Sequence, residues 1–257
     1  MSAAHNENVR AHTWRQAPEC PRLSGDEVHV WRAALVRHPV EIEALRGTLS
    51  EDELLRAERF RFSRDRSKFI AARGILREIL SRYLCLPPTL LRFGYNAFGK
   101  PELCEEVGGA TTRFNLSHAG EIALYAVAAG REVGVDVEFV REDVACAEIA
   151  ADFFSRREAA ALLALPADVR TRAFFNCWTR KEAYIKAHGA GLSLPLDGFD
   201  VTLAPGEPAA LLSTRDDEQE AARWSLTELF PGIGYAAALA VRAPAPPLRC
   251  WQWTAQA

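Results

Sequence analysis

The stretch Gly134-Val135-Asp136-Val137-Glu138 sets two carboxylates two positions apart in an otherwise apolar run. Val133, Val135 and Val137 alternate with Gly134, Asp136 and Glu138, the period-two signature of a strand with one buried face. Side chains at i and i+2 of a strand leave the same face, their Cα atoms about 7 Å apart, so both acids reach one cation. Further on, Trp178-Thr179-Arg180-Lys181-Glu182-Ala183-Tyr184-Ile185-Lys186 puts Glu182 and Lys186 four apart, on one face of a helix. Glu182 falls beside Trp178 and Ile185 at the edge of the apolar stripe. A carboxylate there is partly desolvated and stays ionised only beside a positive partner. Each pattern also has an ordinary reading: acids on a solvated strand, and an i,i+4 Glu–Lys pair worth a few tenths of a kcal/mol. Together, three oxygen-only carboxylates with no Cys or His at ligand spacing suit a hard cation such as Mg²⁺, which takes its remaining ligands from water and phosphate. The residues by themselves reach metal-assisted phosphoryl or phosphodiester chemistry and stop there.

The elements that must position these side chains follow from local patterns. EVHVWRAAL reads as a strand, and SEDELLRAERFRFSRDRSKFIAARGILREILSRYL as one long helical stretch ended by Pro87-Pro88. YNAFGKPEL carries a turn at Gly99-Lys100-Pro101. TTRFNLSHAGEIALYAVAAG reads as a strand, a loop at Ser117–Gly120 and a second strand. After the acidic strand, the capping box Ser155-x-x-Glu158 opens a helix closed by Pro166, and a second helix runs from Ala167 to His188 with Gly189 as its C′ residue. FDVTLA, ARWSLTELF and GYAAALAVRA read as strands. This order of elements predicts an α+β chain, with residues 1–24 a polar N-terminal tail, 25–130 and 131–243 two α+β halves, and 244–257 a Pro-rich tail. Phe62-Ser63-Arg64 and Phe154-Ser155-Arg156 offer a faint echo between the halves.

Composition bounds the rest. A chain of 257 residues, 49% hydrophobic and 25% charged, is long enough to bury one large core or two modest ones. The net charge of −3 is uninformative, but residues 56–82 hold nine basic side chains against three acidic ones. That segment lacks interleaved aromatic stacking platforms, so nucleic acid is not the expected partner. Six scattered cysteines without metal spacing fit free thiols in a reducing cytoplasm. The start has no apolar leader and no run approaches the roughly 20 residues of a membrane span, so a cytoplasmic protein is expected.

The pair of motifs resembles the signature of the 4′-phosphopantetheinyl transferases, in particular the large, two-half, surfactin-synthetase-activating type. In that family a G-[VI]-D-x-E strand is followed some forty residues later by a W-[ST]-x-K-E-[AS]-x-x-K helix. Phe98-Gly99-Lys100-Pro101, Asn115-Leu116-Ser117-His118 and the continuation GAGLSLPLDGF resemble the family as well. The resemblance implies two similar α+β halves packed as a pseudo-dimer, working as a monomer, with coenzyme A between them. It implies that Asp136, Glu138 and Glu182 surround Mg²⁺, that Glu182 is the general base, and that Lys186 neutralises charge on the attacked or departing phosphate. Ser117 and His118 would meet a phosphate, and Gly99, Lys100 and Pro101 would border the adenine and 3′-phosphate. Arg56, Lys68 and Arg73 are possible equivalents of the family's basic side chains near the nucleotide, although Glu53 stands where a family lysine aligns.

The implied reaction moves the 4′-phosphopantetheine arm of coenzyme A onto a serine of an apo carrier protein, releasing 3′,5′-ADP. The arginines of 56–82 would then steer an acidic carrier. Two other classes compete: a Mg²⁺-dependent phosphodiesterase acting on coenzyme A or a nucleotide, and a non-catalytic carrier-binding module. The first would need no carrier; the second would have no use for Glu182 and Lys186 together.

Overall fold

A computed structural model describes residues 12–107, 111–189 and 191–255. After a short β1 (Arg15–Gln16) come β2 (Val28–Ala34) and three helices, α1 (Pro39–Arg46), α2 (Glu51–Glu58) and α3 (Ser63–Leu84). The ribbon of β3 (Phe93–Tyr95) and β4 (Pro101–Leu103) precedes the hairpin β5 (Thr112–Ala119) and β6 (Ile122–Ala129). The second half opens on β7 (Val133–Phe139) and continues through α4 (Cys146–Phe153), α5 (Arg156–Ala164) and α6 (Ala167–His188). A second ribbon, β8 (Phe199–Val201) with β9 (Leu211–Thr214), then leads to β10 (Trp224–Leu229), β11 (Tyr235–Arg242) and finally β12 (Leu248–Gln252).

The two halves repeat one plan: a strand, two short helices, a 22-residue helix, and later a pair of strands. The antiparallel order β2-β6-β5 of the first sheet recurs as β7-β11-β10 in the second. The expected α+β pseudo-dimer is therefore the observed fold. Strand alternation divides the apolar side chains among three cores. Trp31, Ala33, Tyr125 and Val127 face α3, whereas Ala236, Ala238 and Ala240 face α6. The opposite faces meet each other: Val28, Val30, Leu124 and Ala126 pack on Val133, Val135, Val137 and Leu239. The layers run helix, sheet, sheet, helix, and the valines of the acidic strand lie in the central layer.

Several sequence expectations are corrected. The long helical stretch is two helices, because Arg59–Phe62 leave the helix before α3 starts. Two short helices, α1 and α4, carried no signal strong enough to be read. Ser117 and His118 lie inside β5 rather than in a loop; the turn is only Gly120-Glu121, with Gly120 at φ +58°. The N-terminal tail is not wholly loose. Its residues 1–11 lie outside the described residues, but Arg15–Gln16 pair with β12, and Trp14 Nε1 donates to the Phe230 carbonyl. The tail expected over 244–257 is not one across its described residues, 244–255. β12 inserts in parallel between β1 and β2, pairing Cys250 with Val30, so the first sheet is completed by the end of the chain. A strand whose partner lies some 220 positions away leaves no local trace beyond its short alternation.

What brings the second half's helix to its acidic strand is a single missing side chain. Gly134 lies under α6, and a Cβ there would overlap the Ala183 carbonyl oxygen and the Ala187 amide nitrogen and sit 2.9 Å from Ala187 Cα. These are backbone atoms and do not swing aside. Gly134→Ala is therefore expected to cost at least the 1–3 kcal/mol typical of overpacking, read as a lower urea midpoint, with activity lost along with it. A variant as stable as wild type would show that α6 has room to lift.

Candidate active site

The groove between α6 and β7 gathers the side chains singled out by their spacing. Asp136, only 2% exposed, is held from two elements: Ser117 Oγ donates to its Oδ1 at 2.8 Å, and Lys186 Nζ donates to the same oxygen at 2.6 Å. Lys186 also donates to Ser117 Oγ at 3.0 Å. The hydroxyl is saturated, since it accepts as well from the Val137 amide at 3.4 Å. Two residues earlier on β5, Asn115 Oδ1 accepts from the Val135 amide at 2.9 Å. The free edge of β7 is thus satisfied by side chains of the other half. Sequence reasoning gave Asn115 no role. The available signal was that Asn115-x-Ser117 repeats the two-residue spacing of Asp136-x-Glu138.

Glu138 and Glu182 are half-buried and sense the charge of Asp136, and Glu138 senses that of Glu182 as well. Burial first, then Asp136, pushes the Glu138 carboxyl up to about 7 against the pull of Lys186. The same two causes raise Glu182 above the usual range, again opposed by Lys186. The ammonium of Lys186 lies against Asp136 and acts on all three acids, with Arg141 adding a smaller positive influence on Glu138. As they stand, no three His, Cys, Asp or Glu side chains among the described residues are grouped so as to hold a metal ion. The donor set nevertheless fits a hard divalent cation. Every donor is a carboxylate oxygen, and buried Asp136 Oδ2 has no hydrogen-bond partner among the described residues.

A cleft of about 300 Å³ opens beside these groups, lined by Gly99, Lys100, Pro101, Leu116, Glu182 and Lys186 among others. The FGKP turn thus reaches the same cleft as the catalytic candidates from α6. Lys100 is mostly buried there, its ammonium turned toward the carbonyls of Ala187 (3.3 Å) and Val133 (3.4 Å) and toward Glu132 (3.5 Å). His118 is exposed on β5 yet partly desolvated, which lowers its pKa, and the charges of Lys186 and Lys68 lower it further. Lys68 itself donates to the Gly120 carbonyl at 2.6 Å.

The basic side chains proposed for the nucleotide separate sharply. Arg73 is buried and donates through Nε to Glu53 at 2.6 Å, with Arg77 on the other carboxylate oxygen at 2.6 Å and both guanidinium groups over the Phe93 ring. Burial alone would raise the Glu53 carboxyl, but Arg73 and Arg77 outweigh it and hold it below the usual range. Arg73 is thus engaged in a buried triad, which also accounts for the acid at a position aligned with a basic one. Removing one member of such a triad strands charge and is costly. Arg56 is exposed, over the Phe69 ring.

Two family models match adjoining parts of the chain: one described as 4′-phosphopantetheinyl transferase, N-terminal, over residues 37–131, and one described as the 4′-phosphopantetheinyl transferase superfamily, over residues 132–240. The chain belongs to that family. The 4′-phosphopantetheinyl transferase HetI of a Nostoc species is 42% identical over 230 residues, covering 90% of this chain and 94% of that protein. The 4′-phosphopantetheinyl transferase Sfp of Bacillus subtilis is 32% identical over 163 residues, 63% of this chain and 70% of its own length. The resemblance read from the strand and helix motifs is borne out.

The raised Glu138 carboxyl has a pH consequence with a definite sign. A folded value of about 7 against an ordinary 4.5 means that stability from this group is fully present below about pH 4.5 and is lost as pH rises through about 7. In chelator, urea melts at pH 5 and pH 8 should show a drop for wild type that Glu138→Gln reduces. Added divalent cation should narrow the wild-type drop, because it favours the ionised carboxylates. An equal drop in both proteins would place the titration elsewhere.

Proposed function

We propose that this transferase moves the 4′-phosphopantetheine arm of coenzyme A to a serine of an apo acyl, peptidyl or aryl carrier protein, with Mg²⁺ as its cation. In this reading Asp136, Glu138 and Glu182 hold the metal, with residues 131–243 as the half that carries it and 25–130 as the half that completes the cleft. Mg²⁺ bound there supplies positive charge to the diphosphate of coenzyme A. The observation that carries the proposal is Asp136: a nearly inaccessible carboxylate with one oxygen bonded to Ser117 and to Lys186, itself a wall of the cleft that the FGKP turn lines, and the other oxygen without a hydrogen-bond partner among the described residues.

Serine is a weak nucleophile at neutral pH and needs a base as it attacks. Glu182, whose carboxyl is raised by burial and by Asp136, takes the hydroxyl proton. The serine oxygen forms a bond to the β-phosphorus, and the bond from that phosphorus to the bridging oxygen breaks, so 3′,5′-ADP departs with the electron pair. Lys186, which borders the cleft, neutralises the charge that develops on the departing phosphate. Ser117 holds Asp136 and orients Lys186, and in this reading His118, the next residue on β5, contacts a phosphate. Gly99, Lys100 and Pro101 border the nucleotide; Lys68 and Arg56 provide positive charge near it. The exposed arginines at 59, 61 and 64 steer the carrier. The chain acts as a monomer in the cytoplasm. In keeping with that, each half already has its counterpart within one chain, and no helix among the described residues is long and apolar enough to cross a membrane.

Purified protein incubated with Mg²⁺, coenzyme A and a panel of apo carriers should add a phosphopantetheine mass to at least one of them, with 3′,5′-ADP as co-product. Hydrolysis of coenzyme A at the same rate without a carrier would favour a phosphodiesterase instead. Glu182→Gln should reduce transfer by at least about 100-fold, the scale of a lost general base, while part of the nucleotide binding survives. Full activity in that variant would remove Glu182 from the base role.

A further inference from the structure

The turn that lines the cleft is not held by its own glycine and proline alone. Asn96, just ahead of it, uses every polar atom of its side chain. Its Oδ1 accepts from the amides of Phe98 at 2.9 Å and Lys100 at 3.0 Å, folding residues 96–100 into a closed loop. The main chain seals the same loop, with the Asn96 amide donating to the Lys100 carbonyl at 3.0 Å and the Gly99 amide to the Asn96 carbonyl at 3.0 Å. The side-chain nitrogen leaves the loop altogether: Nδ2 donates to the carbonyl of Gly189 at 2.9 Å. Gly189, at φ +76°, is the residue that ends α6, one turn beyond Ile185 and Lys186.

We propose that Asn96 is a positioning residue for the nucleotide, a clasp that fixes the FGKP turn to the end of the catalytic helix; the inference rests on coenzyme A occupying this cleft. Two further contacts share the direction of the clasp. Lys100, at the loop's far end, reaches the Ala187 carbonyl in the last turn of α6, and Gly191 lies against Phe98, where a Cβ would come within 3.0 Å of the Phe98 side chain. The turn comes from the first half and α6 from the second. The clasp therefore sets how far the wall that borders the nucleotide stands from Glu182 and Lys186, where the phosphate must react. It does not set Glu182 and Lys186 themselves. Those are placed by the close approach of α6 to β7 at Gly134 and by Ser117, which do not involve residue 96. Loss of the clasp should consequently weaken binding of coenzyme A and leave the chemical step alone.

Asn96→Ser separates the two functions of the side chain without adding charge. A serine hydroxyl still accepts from the amide two residues on and closes the loop, but it is too short to reach Gly189. In the full-length enzyme, this variant is expected to raise the KM for coenzyme A about tenfold, about 1.4 kcal/mol, with kcat and the KM for the carrier within twofold of wild type. Calorimetric titration of coenzyme A in the absence of carrier should show the same tenfold loss. Asn96→Ala, which opens the loop as well, should lose more affinity. A wild-type KM and Kd for coenzyme A in the serine variant would overturn the clasp while leaving the transferase reading intact. So would equal losses in both KM values with a lowered melting temperature, which would mark a general defect of folding. Wild-type protein that neither binds coenzyme A nor loads a carrier would remove the reading beneath it, and the clasp with it.

Discussion

The chemistry of this chain depends on a helix that lies closer to a strand than a methyl group permits. Gly134 lets the backbone of α6 settle onto β7 at Ala183 and Ala187, and that contact fixes the register between the two elements. Asp136 and Glu138 follow Gly134 on the same face of the strand, and Glu182 and Lys186 flank the contact on the helix. Alanines at 236, 238 and 240 keep the neighbouring strand low enough for the helix to stay down. The glycine of the acidic motif is therefore there for packing, and the acids meet the helix because of it.

That packing also controls the electrostatics. Burial in a partly dry groove raises the proton affinity of Glu138 and Glu182, and the negative charge of Asp136 adds to the effect. Lys186 and, for Glu138, Arg141 oppose that rise, and one oxygen of Asp136 has no hydrogen-bond partner among the described residues. Strain of this kind is tolerated because it lies next to well-satisfied regions. In the same helix, Lys181 is wholly buried yet pairs with Glu158 at 2.8 Å and donates to the carbonyls of Leu196 and Phe199. Two lysines five residues apart thus have opposite occupations: one completes a core, the other faces a site.

The halves are joined by more than their central apolar layer. Asn115 and Ser117 cap the exposed edge of β7, the Asn96 side chain spans from the turn to the end of α6, and β12 returns from the second half to fill the first sheet. An edge strand with unpaired amides would otherwise invite pairing with another chain. Here the partner is the other half, and the residue that closes the seam, Ser117, is the one that holds the buried carboxylate.

Local sequence determined a great deal. The strand at 133–139 and the helix at 167–188, with its left-handed cap at Gly189, were legible because alternation, capping and helix-stop signals act over a few residues. The family followed from two short motifs whose residues are read in order along the chain. What the sequence could not supply was everything that depends on partners far apart. Arg73 and Lys68 look alike as basic residues five apart, yet one is locked to Glu53 in the core and the other lies at the turn beside the site. Ser117 stands out in the sequence through its motif but not as the support of Asp136, and little in the local sequence marks Leu248–Gln252 as a strand of the first sheet. Side-chain type and spacing fix which face of its own element a residue occupies. Which other element covers that face is decided by the packing of the whole chain, since only burial and the available partners settle whether a charge is structural or reactive.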